Sequence, residues 1–240
     1  ESLEAFQEGL IQVQDPSSAL VGELAALKKG DYVIDVCAAP GGKSLHLADR
    51  LCGTGMVEAR DLTPRKISLL EENIARCRLE NVRAVLQDAL AYDPASRERA
   101  DILLADLPCS GLGIMGRKPD IKLHADPETE RKLAALQREI LSVVWQYVKP
   151  GGLLIYSTCT IDRLENEENA RWFGENFPFE PLALEDRLPE GFQVLDGSEG
   201  GIVKFQGKTA GLSRQKGCLQ LLPGEGPFDG FFISLFKRQE

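Results

Sequence analysis

Two thiols stand at the ends of strand-like runs, and an acid closely precedes one of them. Asp106-Leu107-Pro108-Cys109-Ser110-Gly111 follows the run 101–106, and Ser157-Thr158-Cys159-Thr160 ends the run 153–159. Thiols suit transient covalent catalysis because a free pKa of about 8.5 leaves thiolate within reach near neutral pH. A single cysteine in such a position is more often a small buried hydrophobe. If the two strands are neighbours, however, Cys109 and Cys159 face one crevice with Asp106 beside them, and the group reads as thiol catalysis. Residue types and spacing do not say which sulfur attacks.

A second constellation precedes these thiols. D-V-C-A-A-P-G-G-K-S (35–44) ends like a phosphate-binding loop, but a Walker A loop needs G-x-x-x-x-G-K-[ST]. Cys37 occupies the position of the first glycine, and Pro40 lacks the N–H that a phosphate nest would use. An ATPase, with L-L-A-D (103–106) as its second motif, is thus the weaker enzyme alternative. Glycines between a strand and a helix still let a ligand approach the backbone. Acids close the next three runs: Asp61, Asp88 and Asp106. An acid about 20 residues beyond a glycine turn suits a ribose hydroxyl pair, which selects Asp61, and Asp88 is placed to meet an adenine amine. Any one of them could be a helix N-cap. Three along one sheet edge point to a nucleoside-bearing cofactor.

The elements that must position these groups alternate from Tyr32 onward, as a parallel sheet with crossover helices requires. The pattern predicts strands over 32–38, 56–61, 82–88, 101–106 and 153–159. Helices are expected over 45–51 and 64–79, from Asp126 as N-cap to Val148, and from the acidic run 165–173. Residues 186–230 read as glycine-rich loops, followed by a closing hairpin of 217–223 and 230–238. The fold class is α/β and Rossmann-like: a mostly parallel sheet with a C-terminal antiparallel hairpin. Residues 1–30 form a lead-in packed on a catalytic domain of 31–240.

Bulk properties narrow the class. Of 240 residues, 43% are hydrophobic and 27% charged, an ordinary balance for a globular domain with a full core. No apolar run approaches the roughly 20 residues of a membrane helix, and the first residues lack the regions of a signal peptide. A net charge of −9 argues against whole-surface attraction to nucleic acid while allowing a local basic groove. Such a groove is suggested by Arg117, Lys118 and Lys122, just beyond Cys109, as phosphate contacts. Six cysteines without a C-x-x-C pair, and two histidines, His46 and His124, make a poor zinc inventory, so no metal is expected. The cysteines are expected to be reduced, in a cytoplasmic, monomeric protein.

Taken in order, G-L-I-Q-V-Q-D-P-S-S (9–18), D-V-C-A-A-P-G-G-K-S (35–44), D-L-P-C-S-G-L-G (106–113), R-K-P-D-I-K (117–122), P-G-G-L-L-I-Y-S-T-C-T (150–160) and D-G-F-F-I-S-L-F-K (229–237) span nearly the whole chain. The sequence resembles the RNA cytosine carbon-5 methyltransferases of the Sun/Fmu type, and within them the RsmB-like enzymes acting on bacterial small-subunit ribosomal RNA. The resemblance implies the methyltransferase fold, S-adenosylmethionine as cofactor, and 5-methylcytosine in RNA as product. The cofactor would be held by Cys37, Ala38, Ala39, Pro40, Gly41, Gly42, Lys43, Asp61, Asp88 and Asp106. It further implies that Cys159 attacks carbon 6 of the base, that Asp106 hydrogen-bonds the base, and that Cys109 assists release. DNA cytosine methyltransferases carry the nucleophile in a Pro-Cys pair, which would give Cys109 the attacking role instead. Family members usually carry an N-terminal helical RNA-binding domain, which would lie upstream of Glu1. Two departures stand out: Leu107 replaces the usual alanine, and E-A-R-D (58–61) makes the second strand unusually polar. A non-catalytic assembly factor on the same fold is the non-enzymatic alternative, favoured only by loss of a catalytic cysteine or of the glycine turn.

Overall fold

Strands rich in valine, isoleucine and leucine on both faces must be covered on both sides. In the computed structural model, which describes residues 2–123, 125–184, 187–195, 201–224 and 226–240, such runs form the parallel half of one 11-stranded sheet. β1 (Tyr32–Asp35), β2 (Met56–Asp61), β3 (Val82–Leu86), β4 (Ala100–Asp106) and β5 (Val148–Thr158) lie in the order β3-β2-β1-β4-β5, every pair parallel. Strand order reverses between β1 and β4. Their carboxyl ends, Asp35 and Asp106, therefore flank the crevice where doubly wound sheets take ligands.

The helices are α1 (Glu4–Gln7), α2 (Pro16–Leu24), α3 (Gly42–Arg50), α4 (Pro64–Cys77), α5 (Pro127–Val144) and α6 (Glu167–Asn176). Three begin alike. Asp15, Thr63 and Asp126 accept backbone N–H bonds as N-caps, and proline follows each at the first helical position. Side chains alternate across the sheet: Val33, Ile102 and Leu104 meet apolar residues of α2, α3 and α4, while Ile34, Leu103 and Ala105 meet α5 and α6. Leu20, Val21 and Leu24 bring α2 of the lead-in into the first of these cores. There Gly22 lies so close to α3 that a Cβ would come 2.6 Å from His46 Nδ1.

Two parts differ from the sequence reading. α5 stops at Val144, and Val148 already opens β5, so the Lys149-Pro150-Gly151-Gly152 stretch belongs to the strand, with a register irregularity opposite Ala100 and Ile102. Residues 186–230, expected as glycine-rich loops, carry four strands. β7 (Phe192–Leu195), β8 (Gly201–Phe205), β9 (Lys208–Ser213) and β10 (Cys218–Leu221) form an antiparallel meander ending on β11 (Phe231–Arg238), which lies antiparallel to β5; β6 (Phe179–Pro181) pairs with β11. The Gln206-Gly207 turn, with φ of +50° and +80°, has the positive angles that tight hairpins favour. The closing hairpin expected over 217–238 is thus the end of a longer meander.

The polar second strand also finds its reason. Glu58 and Arg60 are buried on the face turned toward the segment after β3. Arg60 pairs with Glu58 and Asp93 and bonds Ser96, while Glu58 bonds Arg83 and the Tyr32 hydroxyl. Each buried charge has partners, as burial requires.

Candidate active site

At the end of β1 the chain turns through residues 36–41 into α3. Gly41 caps the helix at φ +107°, a left-handed angle that favours glycine. Beside it, a Cβ on Gly42 would meet nothing within 4 Å, so the chain's own packing does not demand that glycine. The open side it leaves is where a ligand could approach the backbone. Asp35 is fully buried beneath the turn, accepting from Ser44 Oγ at 2.6 Å and Cys37 N at 3.4 Å. Burial pushes its carboxyl up to about 7, against the lowering effect of Ser44. Burial also drives the Cys37 thiol far above its ordinary range, reinforced by Asp35, Asp61 and Asp106, which leaves that thiol unreactive.

Asp61, at the end of β2, braces the turn: Oδ2 accepts Ala39 N at 3.0 Å, while Oδ1 accepts Leu62 N at 2.7 Å and pairs with Lys66 at 2.9 Å. Asp88 lies beyond β3, exposed, with Oδ1 accepting only from Leu90 N at 2.9 Å. Asp106 joins both constellations. Its Oδ2 takes Lys43 Nζ at 2.8 Å and its Oδ1 takes Ser157 Oγ at 2.7 Å.

β4 and β5 are neighbours, with Asp106 opposite Ser157, and the two thiols meet: Cys109 Sγ lies 3.3 Å from Cys159 Sγ. The hydrogen bond from Cys109 lowers the Cys159 thiol, opposed by burial and Asp106 and helped by Lys43; the same bond and burial raise Cys109 well above its ordinary range. The pair therefore favours a thiolate at Cys159 with the proton on Cys109. Below the Cys109 loop is a carboxylate that the sequence reading did not single out. Glu165 is fully buried and accepts the Ser110 N–H at 3.0 Å and Gln137 Nε2 at 2.8 Å. It lies in an acidic run read only as a helix start, and nothing in that run marks which acid turns inward.

Arg117, expected as a phosphate contact, is exposed yet already partnered. It pairs with Asp15 in the lead-in and with Asp229 before β11, at 3.0 Å from the latter. Lys118 and Lys122 are exposed on the same segment; His124 lies outside the described residues. Among the described residues, no group of three or more His, Cys, Asp or Glu could hold a metal ion, and no helix is long and apolar enough to cross a membrane.

The family described as 16S rRNA methyltransferase RsmB/F matches residues 23–237. The chain belongs to that family. It is 40% identical over 237 residues to the probable ribosomal RNA small subunit methyltransferase B of Bacillus subtilis, covering 98% of this chain and 49% of that protein. Against the ribosomal RNA small subunit methyltransferase F of Escherichia fergusonii, identity is 32% over 238 residues, covering 97% and 46%. The chain thus spans about half the length of these curated relatives. Among solved structures, NSun6 from Pyrococcus horikoshii with SFG superposes with a TM-score of 0.82 at 27% identity, covering all of this chain and 56% of that one. In this member of the RsmB/F family, the glycine turn, the strand-end acids and the thiol pair lie along one edge of the parallel sheet, linked through Lys43 and Asp106.

Proposed function

We propose that this chain methylates carbon 5 of a cytosine in small-subunit ribosomal RNA, using S-adenosylmethionine and a covalent adduct through Cys159. The observation that carries the reading is the sulfur pair, 3.3 Å apart beside Asp106 at the ends of adjacent parallel strands. The family membership and the names of the two curated relatives support a ribosomal RNA substrate. SFG, an S-adenosylmethionine analogue, in the NSun6 structure supports the cofactor. The residues fit it: Gly42 leaves the turn open, Asp61 at the end of β2 would take the ribose, and Asp88, two residues beyond β3, the adenine. When bound, it supplies an electrophilic methyl group for carbon 5.

The protein's own groups do the rest. Carbon 5 of cytosine is a poor nucleophile within an aromatic ring. Cys159 as thiolate adds to carbon 6, forming a C–S bond and making carbon 5 enamine-like. Asp106 accepts from the exocyclic amino group and, once N3 has taken a proton from water as carbon 6 is attacked, from that N–H as well, while Lys43 and Ser157 hold its carboxylate in place. After methylation the carbon-5 proton leaves and the C–S bond breaks, returning Cys159 as thiolate. Cys109, once its own thiol proton has passed to water after Cys159 is bonded to carbon 6, takes up the carbon-5 proton or positions the water that does. The target base must be unstacked or single-stranded for the sulfur to reach it.

The ATPase alternative loses support because Ser44, whose hydroxyl a P-loop turns to Mg²⁺, is buried and donates to Asp35. The assembly-factor alternative loses support because both cysteines and the glycine turn are intact. Nucleoside mass spectrometry of ribosomal RNA incubated with the protein and labelled S-adenosylmethionine should find the label in 5-methylcytosine; label on another nucleoside would overturn the assignment. Asp61→Ala should weaken cofactor binding in calorimetry by about 1.5–3 kcal/mol, the worth of a charge-assisted hydrogen bond. Unchanged affinity in a folded variant would move the cofactor elsewhere.

A further inference from the structure

Glu165 has no part in the reaction proposed above, yet it is fully buried and bonded to the backbone of Ser110, the residue after Cys109. Its Oε2 accepts from Ser110 N at 3.0 Å and from Gln137 Nε2 at 2.8 Å, and its Oε1 lies 3.3 Å from the same Ser110 N. Gln137 also donates to the Pro108 carbonyl at 2.9 Å, so the residues on both sides of Cys109 are bonded to this carboxylate–amide pair. Gln137 Oε1 in turn accepts from Tyr156 OH at 3.0 Å and Asn169 Nδ2 at 2.8 Å. Arg138 Nε donates to Asn169 Oδ1 at 2.6 Å. The network is complete apart from one feature: no cation contacts Glu165 among the described residues.

Burial raises the Glu165 carboxyl above its ordinary range, opposed by the Ser110 and Gln137 donors that favour its ionised, acceptor-only form, and burying a charge without a counter-ion is costly. A neutral amide could hold the Ser110 N–H without that cost. What a neutral group cannot supply is a field. Two sulfurs 3.3 Å apart share one proton between them when the pair carries a single negative charge, and it stays on the sulfur where negative charge is less favourable. Cys159 faces Lys43 from α3 and Asp106 from β4, which are paired with each other at 2.8 Å. Cys109 faces Glu165 from the approach to α6 and neutral Tyr156 from β5, with Asp162 beside Glu165 and Arg138 behind it across Asn169.

We propose that Glu165 is a positioning residue for the thiol pair: it fixes the Cys109 loop through Ser110, and its charge keeps the shared proton on Cys109 so that Cys159 is the thiolate. The raising of Cys109, caused first by its hydrogen bond to Cys159 and by burial, includes a contribution of this sign from Glu165. The inference rests on the thiol-catalysis reading for its purpose. The ionisation of the sulfurs can nevertheless be measured without RNA or methyl donor, so the two ideas fail separately.

The test is limited alkylation of the intact protein with iodoacetamide, with peptide mass spectrometry reporting Cys159 and Cys109 separately from mildly acidic to mildly alkaline pH. In the unaltered protein Cys159 should react first. Glu165→Gln should reduce the Cys159:Cys109 ratio about tenfold, which corresponds to one unit of relative pKa, and Glu165→Asp should restore most of it. If Glu165→Gln lowers the melting temperature but leaves the ratio and its pH profile unchanged, Glu165 is only a strut and the proposal is wrong. Should Glu165→Gln not fold, the unaltered protein decides. On acidification its ratio should fall as Glu165 takes up a proton, and should still fall in Asp162→Asn. A flat or rising ratio overturns the proposal.

Discussion

Asp35 illustrates how a single residue carries a cost for the sake of a turn. An unfolded aspartate titrates near 3.9, whereas burial pushes this one up to about 7 in the fold. Between those values the folded state binds the extra proton, so its contribution to stability falls as pH rises through the window and levels off above it. Asparagine at this position would stay neutral and could still accept from Ser44. The melting temperature of Asp35→Asn relative to the unaltered protein should therefore climb between about pH 4 and about pH 7 and then stay constant. Parallel curves would mean that Asp35 is not protonated in the fold. At this scale the sequence identified the thiols, the turn and the strand-end acids, because each belongs to a motif. It did not reveal the Lys43–Asp106 pair or Glu165, whose partners lie 63 and 55 positions away, and distances of that kind exist only after folding.

At the scale of elements, the site depends on how closely the 106–113 loop approaches its neighbours. Gly113 donates its N–H to the Cys159 carbonyl at 3.1 Å, and its own carbonyl accepts from Gly230 N at 2.9 Å. A Cβ on Gly113 would come 1.9 Å from the Gly230 oxygen, whereas one on Gly116 would meet nothing within 4 Å. Gly113→Ala should cost at least the ~1–3 kcal/mol of an overpacked site in urea unfolding and disturb the thiol pair. Gly116→Ala should behave as the unaltered protein; equal effects would show that the close approach does not govern the site. The parallel strands and their helices were legible because β-branched runs alternate with capped amphipathic helices. The meander from β7 to β10 was not, because its strands have four to six residues and its glycines resemble loop punctuation. The start of β5 was hidden for a similar reason: Pro150-Gly151-Gly152 reads as a stop, yet pairs at a sheet irregularity.

For the whole molecule, the RNA binding proposed above has to be met by a chain of net charge −9. Arg117 holds Asp15 and Asp229, joining the lead-in, the segment after Cys109 and the approach to β11 into one rim. Its neutralisation should loosen that rim more than it changes phosphate contacts. Lys118 and Lys122, exposed on the same segment, are the proposed phosphate partners. Replacing both with glutamine should shallow the salt dependence of RNA binding by about 1.4, since each single-strand contact adds ~0.7 to the slope. An unaltered slope would return them to the status of surface charges.

In the proposed reaction the two sulfurs act in a fixed order once RNA is bound: the C–S bond forms before methylation and breaks only after the carbon-5 proton has left. Denaturing electrophoresis of the protein with labelled ribosomal RNA and S-adenosylmethionine tests that order directly. Cys109→Ala should still attack through Cys159 and then stall, giving a retarded protein–RNA band. Cys159→Ala should give no such band and no product. A band with Cys159→Ala and none with Cys109→Ala would reverse the assignment and contradict the account.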